Sequence, residues 1–225
     1  NKICIPFATK VCCNFPETVS QLPADKAVLT GTPIRQELLT GSKENGLKFT
    51  GFSSDKPVIL IIGGSLGATA VNQAVRAILP NLLQDFQVVH LCGKGKLDEN
   101  LKDTKGYVQY EYIKKELADL FALADIVISR AGANAICELS ALNKPNLLIP
   151  LSARASRGDQ ILNARSFEHL GYSKVLEEEE ITNESLLDAV YDLYKNRETY
   201  ITAMSSSRHK NSIEQIVQLF EKAVN

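Results

Sequence analysis

The 225-residue chain is 44% hydrophobic and 23% charged, an ordinary globular composition that excludes a disordered or fibrous protein. Its 25 lysines and arginines nearly balance 26 aspartates and glutamates, without a dense basic run, so the charge does not indicate a nucleic-acid partner. The longest apolar stretch, around residues 58–62, is far shorter than the ~20 residues that span a bilayer, whereas binding to a membrane surface stays open.

The first 56 residues differ in pattern from the rest of the chain. Residues 1–35 hold a short helical segment, an apolar run at 11–15 and a strand-like run at 27–30, which indicate a remnant of another, N-terminal domain. Residues 36–56, with three glycines among serines and lysines, are predicted to be an interdomain linker. The chain starts at Asn1-Lys2 without a methionine or a signal pattern, so we interpret it as a piece of a longer protein.

From residue 57 to residue 210, short apolar runs alternate with helical segments. Strands are predicted at 58–62, 88–92, 107–110, 126–129, 146–150 and 174–176, and helices at 68–79, 115–123, 133–142, 160–170 and 184–195. This alternation predicts an α/β fold with a Rossmann-like, doubly wound parallel sheet of about six strands. Residues 211–225 are predicted to add a C-terminal helix, since Ile213, Ile216, Val217 and Phe220 recur at helical spacing.

The cysteines indicate a reducing compartment. The sequence has an odd number of cysteines, the five residues Cys4, Cys12, Cys13, Cys92 and Cys137. It has neither a Cys-x-x-Cys pair nor a histidine at ligand spacing. We interpret them as reduced thiols of a cytoplasmic protein, with metal binding as the alternative.

A glycine-rich turn at residues 63–68, GGSLGA, follows the first strand of the main domain and opens a helix. Glycines let the backbone approach a ligand closely, and the helix N-terminus offers unpaired N–H groups to an anion, so the turn is typical of a phosphate site. It lacks the G-x-G-x-x-G dinucleotide fingerprint and the Gly-Lys-Ser/Thr of a P-loop. A tight turn without a ligand is the structural alternative.

The same turn matches G-x-S-x-G, which would make Ser65 the nucleophile of a serine hydrolase. A hydrolase needs a histidine near the strand ends, and the sequence offers three. His90 falls inside a predicted strand, His169 at the far end of a helix, and His209 in a polar stretch without an acid partner. The elbow serine also normally follows several strands of its sheet, so the phosphate interpretation is favoured.

Two further turns follow later strands of the same predicted sheet. Residues 130–134 come after strand 126–129 and precede a helix with Glu138, a carboxylate that could accept both hydrogens of a ribose diol or simply be solvated. Residues 151–158 lead to Asp159 and Gln160 at the start of the next helix. Those side chains suit sugar hydroxyls, although Asp159 could equally cap its helix.

Together these motifs resemble the MurG family, transferases that add N-acetylglucosamine from UDP-N-acetylglucosamine to lipid-linked N-acetylmuramyl-pentapeptide in peptidoglycan synthesis. The matching stretches run through nearly the whole chain: NK at 1–2, GTPIR at 31–35, GGSLGA at 63–68 with Asn72, YI at 112–113, SRAGANAICEL at 129–139 and GDQILNA at 158–164. The resemblance implies the GT-B arrangement of two Rossmann-like domains, with this chain as the donor-binding C-terminal domain and residues 1–35 as the remnant of the acceptor domain.

The resemblance also implies a role for each matching residue. Arg35 reaches the nucleotide; Ser65 holds the diphosphate with the backbone of Gly63, Gly64 and Gly67; Ile113 offers its backbone to uracil; Gly132, Ala133, Asn134, Ala135, Ile136 and Cys137 line the phosphates and ribose; Glu138 binds the ribose hydroxyls; Asp159 and Gln160 bind the sugar; and Asn163 supports them. Some relatives have a hydroxyl residue where Ala135 stands, and many have glutamine at position 159.

The implied activity is that of an inverting hexosyltransferase without a metal or other cofactor, which fits the absence of an Asp-x-Asp motif. UDP-N-acetylglucosamine is the donor, and the full-length protein would act at the cytoplasmic face of the membrane on an undecaprenyl-linked acceptor. The family's general base and acceptor site lie in an N-terminal domain, so the catalytic residue stays unknown and this chain alone is expected to be inactive. Another GT-B transferase, such as a lipid glucosyltransferase, and a non-catalytic nucleotide-sugar-binding module stay open as alternatives.

Overall fold

Two parallel sheets organise the chain. The computed structural model describes residues 3–63, 68–154, 158–205 and 212–224. The first sheet pairs β1 (Val11–Cys13) with β2 (Ala27–Leu29), and the short helix α1 (Pro16–Val19) lies between them in the chain. A 3-10 helix (Gln36–Thr40) and α2 (Lys43–Thr50) then lead into the second sheet.

The second sheet alternates with helices, as the sequence predicts. In chain order its elements are β3 (Val58–Ile62), α3 (Thr69–Asp85), β4 (Gln87–Leu91), β5 (Tyr107–Tyr110), α4 (Leu117–Leu123), β6 (Ile126–Ser129), α5 (Ala133–Ala141), β7 (Asn146–Leu148), α6 (Asp159–His169), β8 (Lys174–Val175), α7 (Asn183–Lys195), α8 (Arg197–Ser205) and α9 (Ser212–Val224). The six strands are parallel in the order β5-β4-β3-β6-β7-β8. The predicted doubly wound α/β fold is confirmed.

Helices cover both faces of this sheet, which is why its strands are almost wholly apolar. Successive side chains of a strand point to opposite faces, so Ile59 and Ile61 pack against α3 and α7. Leu60 and Val127 face the other way and pack against α4, α5 and α6. The sheet is therefore a rigid platform from which the loops at its carboxyl edge project.

Residues 36–56, predicted to be a linker, fold against the second sheet's helices. A Cβ added at Gly41 would stand 2.0 Å from the carbonyl oxygen of Ala118 in α4, so the two backbones are in direct contact. The Ser42 N–H donates to Asp119 Oδ1 over 2.7 Å, and the Ser42 hydroxyl caps α2 by accepting from the Asn45 N–H. This segment is thus ordered by contacts with α4.

Some element bounds differ from the predicted ones. Helix α3 runs to Asp85 instead of ending at residue 79, β7 ends at Leu148, and α8 has no counterpart in the sequence prediction. None of the helices in the described parts of the chain is long and apolar enough to cross a membrane.

The order of the strands fixes where a ligand would bind. From β3 the chain moves outward to β4 and β5, then crosses back to β6, which pairs with β3 on its other side. At such a switch point the loops after the two central strands diverge and leave a crevice, the usual ligand position in open α/β sheets. The last residues of the two strands, Ile62 and Ser129, are register partners at this crevice.

Candidate functional site

The two glycine turns predicted to share a crevice begin side by side. Gly63 directly follows β3, and Arg130 directly follows β6, its neighbour in the sheet. Gly64, Ser65 and Gly67 of the first turn lie outside the described residues, as do Asn1, Lys2 and His209.

The second turn leads into the open N-terminus of α5. Gly132 is the N-cap residue, and no side chain in the described part of the chain caps this helix. A Cβ added at Gly132 would meet no atom of the described residues within 4 Å, so space lies in front of the first turn of α5. Its backbone N–H groups can therefore take an anionic ligand.

The predicted lining residues of α5 divide into two groups. Asn134 is exposed, and Gly132, Ala133 and Ala135 are half-buried. The side chains of Ile136 and Cys137 are fully buried in the core, where burial raises the pKa of the Cys137 thiol to about 11. Neither of these two side chains reaches the crevice, and a contact from them would have to come from their backbone.

Glu138 is held by Arg35, a residue 103 positions earlier in the chain. Arg35 Nε donates to Glu138 Oε1 over 2.9 Å, and Arg35 Nη2 donates to Oε2 over 3.2 Å. The Glu138 side chain is 17% exposed and that of Arg35 is 51% exposed. The two residues therefore form a bidentate, charge-assisted ion pair, a geometry that the planar guanidinium favours.

Residues 30–35 form the strap that carries Arg35 across α5. Ile34 is buried in the same core cluster as Cys137, and the Thr32 hydroxyl is buried beside the Cys137 thiol. The strap therefore contacts two consecutive residues of α5, which fixes Arg35 relative to Glu138.

The start of α6 brings three predicted residues to the same edge of the sheet. Gly158 is the N-cap at φ +82°, so Asp159 is the first residue inside the helix and does not cap it. Within the described residues Asp159 has no hydrogen bond or ion pair, and it lines a cavity of ≈ 630 Å³ with Ala133 and Asn163. Its carboxylate is thus available to a ligand.

Gln160 and Asn163 have structural partners instead. Gln160 Oε1 accepts from the Leu151 N–H over 3.0 Å and so holds the loop after β7. Asn163 Nδ2 donates to the carbonyl oxygen of Ala131 over 3.0 Å, which ties α6 to the turn before α5. Asn163 therefore holds the second glycine turn against α6.

Ile113 follows β5 at the same edge of the sheet. Its side chain is buried in the core, whereas neighbouring Tyr112 is largely exposed. A contact between Ile113 and a ligand would therefore have to come from its backbone.

Arg130 is a site residue that the sequence interpretation missed. Its Nη1 donates to the carbonyl oxygens of Ile149 and Pro150 over 3.2 and 3.1 Å, and its Nη2 forms an ion pair with Glu178. Arg130 thereby links the ends of β6 and β7 and braces the loops on both sides of the crevice. An arginine directly after a predicted strand was the only sequence signal of this role.

The two histidines in the described part of the chain give no support to the alternative of a serine hydrolase. His90 lies in β4, fully buried, with its Nδ1 3.0 Å from the Tyr107 hydroxyl and its Nε2 3.0 Å from Asn72 Oδ1. His169 is the last residue of α6. Among the described residues, no group of three or more His, Cys, Asp or Glu side chains is placed to hold a metal ion.

The order of the six parallel strands, with helices on both faces of the sheet, defines an α/β domain of the Rossmann-like type. More narrowly, the chain belongs to a glycosyltransferase family: residues 58–220 match the model of the glycosyltransferase family 28 C-terminal domain. Its fold is that of the C-terminal domain of GT-B glycosyltransferases.

Similar proteins agree with this assignment. The chain is 63% identical over 222 residues to the UDP-N-acetylglucosamine–N-acetylmuramyl-(pentapeptide) pyrophosphoryl-undecaprenol N-acetylglucosamine transferase of Lachnoclostridium phytofermentans, covering 99% of this chain and 62% of the relative. The transferase of the same name from Lachnospira eligens is also 63% identical, with 98% and 62% covered. Among solved structures, MurG of Acinetobacter baumannii superposes with a TM-score of 0.71 at 25% identity, with 96% of this chain and 60% of that one covered. The chain thus spans about three fifths of the length of these relatives.

Proposed function

We propose that this chain is the donor-binding part of a transferase that moves N-acetylglucosamine from UDP-N-acetylglucosamine to a lipid-linked N-acetylmuramyl-pentapeptide. The observation that carries the proposal is the open N-terminus of α5, which begins at Gly132 and has Glu138 in its second turn. Diphosphate and ribose lie next to each other in UDP, and an anion site with a carboxylate nearby matches that sequence of groups. The high identity to two transferases of this name supports the same donor.

The proposed donor pose follows the strand ends. The diphosphate lies between the turn after β3, with Gly63 and Ser65, and the backbone of residues 132–135. Glu138 accepts from the ribose hydroxyls, and the backbone of Ile113 contacts uracil. Asp159, whose carboxylate has no partner among the described residues, binds hydroxyls of the sugar, with the Gln160 side-chain amide beside it.

In this pose the chain stabilises negative charge that develops during the reaction. As the bond between the sugar and UDP breaks, negative charge grows on the diphosphate. The partial positive charge at the N-terminus of α5 stabilises that charge, which makes UDP a better leaving group. Because the acceptor attacks from the opposite face of the sugar, the configuration at the anomeric carbon is inverted.

We further propose where the complete protein works. The acceptor is undecaprenyl-linked, so the full-length enzyme would associate with the cytoplasmic face of the cell membrane as a peripheral protein. Residues outside this chain would bind the acceptor and supply the general base.

Replacing Gly132 with alanine tests the proposed diphosphate position. The new methyl group would occupy the space in front of α5 without touching the described residues, so the thermal midpoint should stay within about 2 °C of the wild type. A methyl group between the helix and the phosphates should weaken UDP binding by about tenfold, equal to ~1.4 kcal/mol. Isothermal calorimetry with UDP and UDP-N-acetylglucosamine measures this.

Three outcomes would contradict the proposal. If the unmodified chain binds neither ligand at millimolar concentration, the donor site itself is refuted. If Gly132→Ala binds UDP as tightly as the unmodified chain, the diphosphate does not lie at α5. Equal affinity for UDP-glucose and UDP-N-acetylglucosamine would favour a different GT-B transferase.

A further inference from the structure

The ion pair between Arg35 and Glu138 supports a role for Arg35 that goes beyond the proposed donor contacts. We propose that Arg35 is a positioning residue: it orients the Glu138 carboxylate so that both of its oxygens face the ribose diol of the nucleotide. This inference rests on the proposed function, because it presumes that the ligand carries a ribose at Glu138.

The pairing leaves Glu138 able to bind a second partner. Each carboxylate oxygen has two lone pairs, and Arg35 takes one on each oxygen, through Nε on Oε1 and through Nη2 on Oε2. One lone pair per oxygen remains, which is the number that the 2′ and 3′ hydroxyls of a ribose require. The arginine therefore prepares the carboxylate for the diol without occupying the acceptors that the diol needs.

The burial of the two side chains favours positioning over chance contact. Glu138 is mostly buried, so an unpaired carboxylate there would be costly and would turn toward any available donor. Arg35 meets that need from the strap, which is anchored by buried Ile34 and by Thr32 against Cys137. A flexible side chain is thus held in one orientation before any ligand arrives.

A direct role on the phosphates makes a different prediction. Arg35 Nη1 has no hydrogen bond in the described part of the chain, so it could in principle reach the diphosphate, as the family resemblance implies. Loss of a phosphate contact weakens every nucleotide diphosphate equally. Loss of a positioning contact acts through Glu138 and so weakens only those ligands whose ribose hydroxyls Glu138 binds.

The test compares UDP with 2′-deoxy-UDP by calorimetry on the full 225-residue chain. We expect the wild type to bind UDP about tenfold more tightly, because a hydrogen bond to a charged acceptor is lost in the deoxy ligand. In Arg35→Gln this ratio should fall below about threefold, as it should in Glu138→Gln, and the double variant should lower it no further. Arg35→Lys keeps the positive charge but loses the bidentate guanidinium, so it should also lose most of the preference for UDP over 2′-deoxy-UDP.

Arg165→Gln is the matched control. Arg165 is likewise 51% exposed and pairs with two carboxylates, those of Glu168 and Glu177, so its loss changes the net charge equally. The tenfold preference for UDP should persist in this variant.

Other results would overturn the inference. A wild type without preference for UDP, or an Arg35→Gln variant that weakens both ligands while keeping the ratio, would show that Arg35 does not act through Glu138. If Arg35→Gln fails to fold by circular dichroism, the ratio in Arg35→Lys decides. Absence of any UDP binding by the wild type would instead refute the proposed function.

Discussion

At the scale of single residues, a buried histidine couples the stability of the domain to pH. Burial, together with the smaller effect of the nearby Arg76 charge, lowers the pKa of His90 from 6.5 to about 3. Asn72 Nδ2 donates to the Cys92 carbonyl, so its oxygen faces the ring and His90 Nε2 donates to it. Nδ1 then accepts from the Tyr107 hydroxyl, and the neutral ring satisfies both contacts.

This pKa shift predicts that acid destabilises the domain. In the unfolded chain His90 gains a proton below pH 6.5, whereas in the folded chain it stays neutral down to about pH 3. Its contribution is therefore fully present above pH 6.5 and is lost as the pH falls through that window, by about 2 kcal/mol between pH 7 and pH 5. Urea unfolding at both pH values should show that His90→Gln, which cannot titrate, loses about that much less than the wild type. An equal loss in both proteins would contradict the assignment.

Contacts between residues far apart in the chain could not be predicted from the sequence. The glycine turns are visible there because they directly follow predicted strands, and Glu138 and Asp159 because they lie in the helices that come next. Asn163 was singled out only by the family resemblance. The pair between Arg35 and Glu138 is invisible because its members are 103 positions apart, and periodicity describes only near neighbours. Arg130 was overlooked for the same reason, since its partners lie just after β7, at residues 149 and 150, and at Glu178.

At the scale of elements, the close contact between residues 41–50 and α4 depends on glycine. A Cβ at Gly41 would lie 2.0 Å from the backbone oxygen of Ala118. Neither atom could move away by a change of side-chain rotamer. Gly41→Ala should therefore lower the free energy of unfolding by about 1–3 kcal/mol, the usual cost of overpacking. Chemical denaturation measures this, with Gly132→Ala as the control that adds the same methyl group in open space. A Gly41→Ala variant as stable as the control would show that this contact is loose.

Three strands, β3, β5 and β6, have the predicted bounds. For the central strands β3 and β6 the reason is that buried apolar runs between helices leave little choice. Helix α3 extends past the predicted end, since Pro80 normally stops a helix, yet buried Leu82 and Phe86 keep the following turn packed. Helix α8 lacks a clear apolar face, with Met204 as its one buried residue, so periodicity does not reveal it.

At the scale of the whole molecule, binding and transfer are expected to be separable. A nucleotide sugar would be held at the strand ends of one sheet and at the helix N-termini beside them. That sheet lies within residues 58–220, which match the family's C-terminal domain. The chain spans about three fifths of the length of its relatives.

We therefore expect this chain to bind UDP-N-acetylglucosamine without transferring the sugar. His90 is buried and neutral in the core, and the proposed donor residues stabilise the leaving group but do not deprotonate an acceptor hydroxyl. Calorimetry should detect donor binding, while a coupled assay with a lipid-linked acceptor should show UDP release no faster than the protein-free blank. The full-length transferase of Lachnoclostridium phytofermentans is the positive control for the acceptor preparation. Acceptor-dependent release of UDP by the 225-residue chain would place a working general base inside it. It would direct the search to the carboxylate of Asp159, which has no partner among the described residues and lies at the proposed sugar position.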